Sequence, residues 1–435
     1  MPIRMAAAGD ERRTKLLRRT GGSGQATTAR QRQRRSFSML ADDILVTIYR
    51  LLDEYPSSRA RFAAVCRSWR AAVASEPRAP VLPWLLLSPR EAGGDRTRLA
   101  RSLEDGAVMR ICPRPGLVGR RLVGGYDGCW VVSCHPPPIR IVNLFSGAEL
   151  ALPGKLSKIA CPRRDHGRGD TRCPIVVSKV VFSEPPTSDG CIMAAMTENC
   201  GLALCRVGCP EGGWSIHGCQ VESFMDIAFC NGELYGVTRG HKLVKFDITL
   251  HKGGAPMVTA DTRVALQMVS RHNSRNSCKE YSVYLVDLHG KLAIAIMTWW
   301  CLGTEPFFKV YQLVDNNETS GTTTCCNNRW EEVTSLGDHA LFLGQTFSKA
   351  VHVPMDMCGD VERNRIYYSN NSSRSLNAEV HGDAVKLTIS YGNGDLKYER
   401  EKSTSIADYA EKITSVGYFM KCGLHDIMWL LPPDI

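Results

Sequence analysis

The apolar residues of this chain change their period once, and the change falls at Pro77. Before it, Ile44, Leu45, Ile48, Leu51 and Leu52 recur at three- and four-residue steps, the stripe of a helix. Phe62, Val65, Cys66, Trp69 and Val73 repeat that spacing on a second segment. Asp42 and Asp43 stand where the first helix begins, as cap and first-turn carboxylate. Pro56 and two serines separate the segments, and Pro77 stops the last one. After Pro77 the helical spacing fades into short β-rich runs set apart by turn residues. They include 84–87, 130–133, 140–144, 175–182, 202–205, 227–230, 234–237, 243–246, 281–286, 292–296, 308–313, 330–333, 340–343 and 365–368. Asn231-Gly232 between two of them predicts a hairpin, because both central residues of a type I′ turn need positive φ. Many short strands at regular spacing indicate a sandwich, a barrel or a propeller. Length chooses among these. About 350 residues exceed one sandwich, whereas four-stranded blades of about 40–50 residues give about seven blades.

The helical segment closely resembles an F-box, the small module that docks a substrate receptor onto the adaptor of a cullin–RING ubiquitin ligase. The family pattern is Leu-Pro-x-Asp/Glu-Leu/Ile-Leu, then Ile and Leu at helical spacing, then Val-Cys-x-x-Trp. Leu40, Asp43, Ile44, Leu45, Ile48, Leu51, Val65, Cys66 and Trp69 match it, and Ala41 stands where the family has proline. The resemblance implies a three-helix unit over 37–76. It also implies an adaptor-binding set of Leu40, Asp43, Ile44, Leu45, Ile48, Cys66 and Trp69, with Trp69 mainly in the unit's own core.

The strand-rich region, 83–435, resembles a plant-type β-propeller family of unassigned function that follows F-boxes. Asn143-Leu144-Phe145-Ser146-Gly147, ahead of Leu152-Pro153, is similar to that family's Asn-Pro-Phe-Thr/Ser-Gly stretch, with Leu144 in place of proline. Asp226-Ile227-Ala228-Phe229 and Asn231 to Val237 resemble its central hairpin. Tyr284-Leu285-Val286, then Trp330-Glu331-Glu332-Val333 with Leu336 to Gly344, resemble later blades, and Trp429-Leu430-Leu431-Pro432 its closing segment.

Charge divides the chain along the same lines. Residues 1–35 hold ten Arg/Lys against two Asp/Glu, a surplus of +8 out of the chain's +10. Residues 37–76 hold five of each sign, so the rest carries only +2. The folded part has no domain-wide nucleic-acid footprint. Residues 1–36, poor in large apolar side chains, read as a disordered basic tail. Its cluster Arg30-Gln31-Arg32-Gln33-Arg34-Arg35 reads either as an import signal or as solvated chain. Expected localisation is nucleus or cytoplasm, with organelle uptake by the basic tail as the minor alternative. No apolar run reaches the length of a membrane span, and the first residues lack a secretory pattern. The 18 cysteines are therefore expected to be reduced.

Catalytic and metal motifs are sparse. Gly-x-Ser-x-Gly, phosphate-loop and His-Glu-x-x-His patterns are absent from the sequence. The best metal candidate is Cys200, Cys205 and Cys209 with His217 and Cys219, at spacings that match no common zinc framework. Cys325-Cys326 lies in a polar loop. Arg163, Arg164, His166 and Arg168 form a basic loop suited to an acidic or phosphorylated partner, or simply to water. Trp299-Trp300 closes an apolar run as an interface anchor or as core.

The domain reading is a tail over 1–36, an F-box over 37–76, a linker over 77–82 and a propeller over 83–435. The expected function is that of a non-catalytic substrate receptor in an SCF-type ligase. Its partners would be the adaptor, through it a cullin, and a target protein the sequence does not identify. No cofactor, metal or membrane is expected, and nucleic acid is disfavoured. A scaffold that assembles no ligase, and a propeller enzyme with an incidental helical hairpin, stand as alternatives. Ring closure makes one topological demand: the apolar runs at 84–87 and 427–431 should share a blade or touching blades, since open sheet edges invite association.

Overall fold

The computed structural model describes residues 40–52, 62, 65–74, 82–87, 98–103, 106–111, 117, 120–135, 138–154, 156, 159–160, 172–173, 175–198, 201–217, 223–251, 254–266, 279–300, 307–314, 329–355, 361–370, 385–390, 395–400, 413–420 and 427–432. The basic tail, the linker before Leu82, the 163–168 loop and Cys325-Cys326 lie outside them.

Two helices are described, α1 over Asp42–Leu51 and α2 over Arg67–Ala72. The three-helix expectation for 37–76 extends onto residues outside the described set. Two local expectations need correction. Asp42 is not the cap: Ala41 holds that position in extended backbone, and both aspartates stand in the first turn. There they oppose the positive end of the helix dipole. The second stripe is not one continuous helix either. Cys66 is extended, with φ −162° and ψ 173°, and serves as the N-cap of α2. That break turns Val65 out to 56% exposure while Phe62 and Val73 go inward.

The helical unit has its own small core of Leu45, Tyr49, Phe62 and Val73. Leu40, Ile48, Leu52, Trp69 and Ala72 pack around it. The Phe62 ring lies 4.5 Å from that of Trp69 and meets Tyr49 edge-on at 5.7 Å.

The remainder is β-structure arranged as repeated antiparallel meanders, a curled, propeller-like succession of sheets. Five four-stranded units are described. The first joins Met428–Leu430, Trp84–Leu87, Arg98–Arg101 and Val108–Ile111. The second and third start from Arg121–Tyr126 and Val177–Phe182, which touch side by side in parallel at Gly124 and Val180. Glycine is required there, because a Cβ on Gly124 would meet the Val180 carbonyl oxygen at 2.4 Å. The fourth runs from Phe224–Cys230 to Pro256–Ala265 and the fifth from Lys279–Leu288 to Arg329–Val333. A six-stranded sheet then holds His339–Leu343, Lys349–His352, Arg365–Asn370, Val385–Ser390, Asp395–Arg400 and Thr414–Met420. Asn231-Gly232 forms the expected hairpin, with φ of 50° and 77° and Cys230 opposite Glu233.

The closure expectation holds. Trp84–Leu87 pairs antiparallel with Met428–Leu430, placing Leu85 opposite Trp429. Trp429 is fully buried, and its indole N–H donates to the Leu343 carbonyl at 2.9 Å. Its ring meets Phe342 and Tyr418 edge-on. Two residues on, the Leu431 carbonyl accepts the Cys129 N–H at 2.8 Å. The last strand thus joins three sheets that are remote in sequence. Among the described residues no helix is long and apolar enough to cross a membrane.

Candidate functional sites: an exposed helical face and a cavity of the β-domain

The α1 stripe divides into two lines. Leu45 and Tyr49, one turn apart, point into the unit's core, and Ile48 and Leu52 flank them. Ile44 and Leu51, seven residues apart on one side of the helix, are 46% and 79% exposed. The expected adaptor-binding set therefore separates. Leu45 is 0% exposed and supports the unit from inside. The spacing that placed it with Ile44 could not tell the two faces of so short a stripe apart. Ile44 and Asp43 are exposed, Leu40 and Ile48 half-buried. Cys66 sits at the α2 cap, where the Ser68 hydroxyl 3.1 Å away holds its thiol below the usual range. Trp69 is half-buried against Phe62. Tyr49, buried at 3%, went unread in the sequence because its hydroxyl sets it outside a purely apolar stripe.

The second candidate lies in the β-domain. The first strands of the second to fifth units, with the hairpins that follow them, and the first hairpin of the six-stranded sheet line one cavity of about 420 Å³. Asp127, Ser183, Asn231, Asp287 and Lys349 each come from a different unit or sheet. Two hairpins meet at its edge: the Asn231 side-chain amide donates to the Gly290 carbonyl at 2.5 Å. His289 and Gly290 hold positive φ of 57° and 72°.

Beneath the cavity a buried ion pair ties three inner strands together. Lys179 Nζ lies 2.5 Å from Asp226 Oδ1, with both side chains at most 4% exposed. The other carboxylate oxygen accepts the Leu285 N–H at 2.7 Å. Burial pushes the Asp226 carboxyl up from its ordinary value, opposed by the Lys179 cation and by hydrogen bonds. Asp226 belongs to the central-hairpin motif, and the structure supplies its physical role, which strand-spacing arguments had no means of reading.

Histidines gather on the same side. The His289 and His339 rings are 4.1 Å apart. His339 Nδ1 and His352 Nε2 contact the two oxygens of Asp338 at 2.6 and 3.0 Å. Burial lowers the His339 pKa, so its imidazole is neutral near pH 7. Tyr126, on the cavity wall, is pushed up to about 12 by burial and then by Asp127.

The other sequence candidates fall elsewhere. Cys205 is a core residue whose thiol burial pushes well up. His217 faces Asp261 at 3.6 Å, and Cys200 and Cys219 are outside the described residues. Among the described residues no three His, Cys, Asp or Glu side chains gather as a metal would need. Trp299 and Trp300 are strand residues paired with Glu280 and Lys279. Asn143, singled out as a motif residue, builds a turn: its Oδ1 accepts the N–H groups of Phe145 and Ser146 at 3.1 and 2.9 Å. The Leu144 N–H donates to Cys129 at 3.0 Å, a bond that the proline of the family pattern could not make.

The chain is similar to a "Probable F-box protein" of Arabidopsis thaliana, 24% identical over 362 residues that cover 77% of this chain and 84% of the relative. Among solved structures it is similar to the Myceliophteria thermophila Cps50 (Swd1) β-propeller domain, at 9% identity and a TM-score of 0.28, covering 72% and 82% of the two chains. It is also similar to the N-terminal domain of Nup159, at 10% identity and a TM-score of 0.27, covering 59% and 64%. Residues 100–395 match the KIB1-4 beta-propeller family. With the relative, this match bears out the resemblance to plant F-box proteins that carry a C-terminal propeller. The chain belongs to the KIB1-4 β-propeller family.

Proposed function

We propose that this chain is the substrate-receptor subunit of an SCF-type cullin–RING ubiquitin ligase. The helical unit docks the adaptor, and the propeller presents a face to a target protein. The observation that carries the reading is the surplus apolar surface of the helical unit. Its core is already filled by Leu45, Tyr49, Phe62 and Val73, yet Ile44, Leu51 and Val65 stay 46–79% exposed. Side chains of this kind bind by seating in a partner's groove. Leu40, Asp43, Ile44, Ile48, Cys66 and Trp69 form or flank that face. Leu45 contributes by holding it in shape. Catalysis belongs to other subunits, and this chain contributes proximity between the target and a charged ubiquitin carrier.

We read the β-domain as about seven blades, counting five four-stranded units and taking the six-stranded sheet as two. The domain limits stay at 1–36, 37–76, 77–82 and 83–435, and the working compartment is nucleus or cytoplasm. The test is co-purification of adaptor and cullin with the intact chain and with Ile44→Asp. Both partners should come with the wild type and be lost with the variant. Capture of neither by the wild type would leave the scaffold reading in its place.

A further inference from the structure

The cavity of the β-domain holds charges that do not cancel. Of its two lysines, Lys179 is neutralised by buried Asp226, and Lys349 is ion-paired with Asp127. Asp287 is exposed on the same wall, and among the described residues it has no cationic partner. One of its oxygens accepts the Gly290 N–H at 2.8 Å, which fixes the carboxylate in place. Its charge is felt nearby: the Cys230 thiol is raised to about 12, by burial first and then by Asp287.

The rest of the lining suits the same kind of guest. Thr346 is 3% exposed, and its hydroxyl has no hydrogen-bond partner among the described residues. Buried polar atoms are seldom left so, and one that lines a cavity is satisfied by whatever enters. His339, neutral near pH 7, can accept through the ring nitrogen that does not face Asp338. Phe229 and Tyr126 add aromatic surface, which attracts cations. A fixed carboxylate, unfilled acceptors and aromatic rings together recognise an ammonium or guanidinium on an aliphatic stem.

We infer that this cavity, with Asp287 at its wall and Thr346 lining it, receives a lysine or arginine side chain of the bound protein. This rests on the reading of the propeller as the target-binding part.

The experiment uses the intact chain and four blocked pentapeptides, Gly-Gly-X-Gly-Gly with X as arginine, lysine, norleucine or glutamate, titrated by ligand-observed NMR. Saturable binding of the arginine and lysine peptides alone is expected. Asp287→Asn should weaken it at least tenfold and Thr346→Val measurably, whereas Asp247→Asn, on an exposed strand elsewhere, should leave it unchanged. Thermal melting of each variant separates a lost site from a lost fold, and Asp287, being exposed, should leave the melt unmoved. Equal binding of the norleucine or glutamate peptide overturns the inference. So does an absence of binding, or wild-type affinity in a folded Asp287→Asn. Adaptor and cullin capture, measured on the same preparations, shows separately whether the receptor reading stands.

Discussion

The helical unit and the closing strand of the β-domain are both short apolar segments, but they use their apolar residues differently. In the closing segment every side chain from Ile427 to Leu431 is at most 6% exposed, and Trp429 is at 0%. Its partners lie at residues 84–87, 129 and 343, more than eighty positions away. In α1 the buried pair Leu45 and Tyr49 shares ten residues with Ile44 and Leu51, which face outward. The difference teaches where each segment's free energy is realised. The closing strand's apolar surface is consumed inside the chain and contributes to its stability. In α1 the exposed apolar side chains of Ile44 and Leu51 contribute little within the chain, and on the receptor reading proposed above they contribute once a partner arrives.

The strongest way to break this contrast is to remove the closing strand. Deleting residues 427–435 exposes the edge of Trp84–Leu87 and empties the site of Trp429. The β-domain should lose its cooperative melt and its resistance to limited proteolysis. A soluble, protease-resistant truncation with a near-normal melting point would show that the ring does not depend on closure. The milder Trp429→Ala should still cost about 3–5 kcal/mol in denaturant unfolding.

Lys179→Met tests whether the interior also holds by charge. Leaving Asp226 buried and unpaired should cost about 3–5 kcal/mol near neutral pH. The sign with pH follows from Asp226. Its folded pKa is already raised, and removing Lys179 takes away the leading influence that lowers it. A carboxyl with a raised folded pKa contributes its full stability below its unfolded pKa, and loses it as pH rises through the folded value. The variant should therefore lie closest to wild type in acid and fall behind as pH rises toward 7. A gap in melting point that stays constant from pH 4 to 7 would remove Asp226 as its cause.

Within α1 the contrast sharpens to adjacent residues. Leu45→Ala should cost about 2–5 kcal/mol and lose adaptor binding by unfolding the small unit. Ile44→Asp should change stability by no more than about 0.5 kcal/mol, yet weaken adaptor binding by about 2 kcal/mol or more. Circular dichroism melts set beside pull-downs separate the two. Equal stability losses in both variants would mean that α1 has no outward face.

The smallest effect concerns Ala41. Its φ of −67° is the value a proline ring imposes. Ala41→Pro should stabilise the helical unit by about 0.4–1 kcal/mol, by reducing the freedom of the unfolded chain. A loss of stability would place a needed hydrogen bond on the Ala41 N–H.

Much of the architecture is legible in the sequence. The period change at Pro77, the Asn231-Gly232 hairpin and the apolar runs at both ends of the β-domain are local signals, and local signals survive in sequence. What the spacing could not do was assign faces in a stripe of only ten residues. Ile44 and Leu45 look alike in sequence because both are apolar at helical intervals; only the position of Phe62 and Val73 decides which is core. Cys66 likewise fits a helical period, and its extended backbone comes from the way α2 must start. The cavity lay further out of reach. Asp127, Asn231 and Asp287 come from three separate hairpins and Thr346 and Lys349 from a fourth, and no local pattern links the four. Sequence by itself determined the two-part division, the strand grammar and the apolar supply for closure, because each depends on neighbours along the chain. The tertiary structure alone decided which apolar residues face outward, which aspartate is buried against which lysine, and where, among the described residues, a carboxylate stands without a cation. Those depend on which distant strands meet.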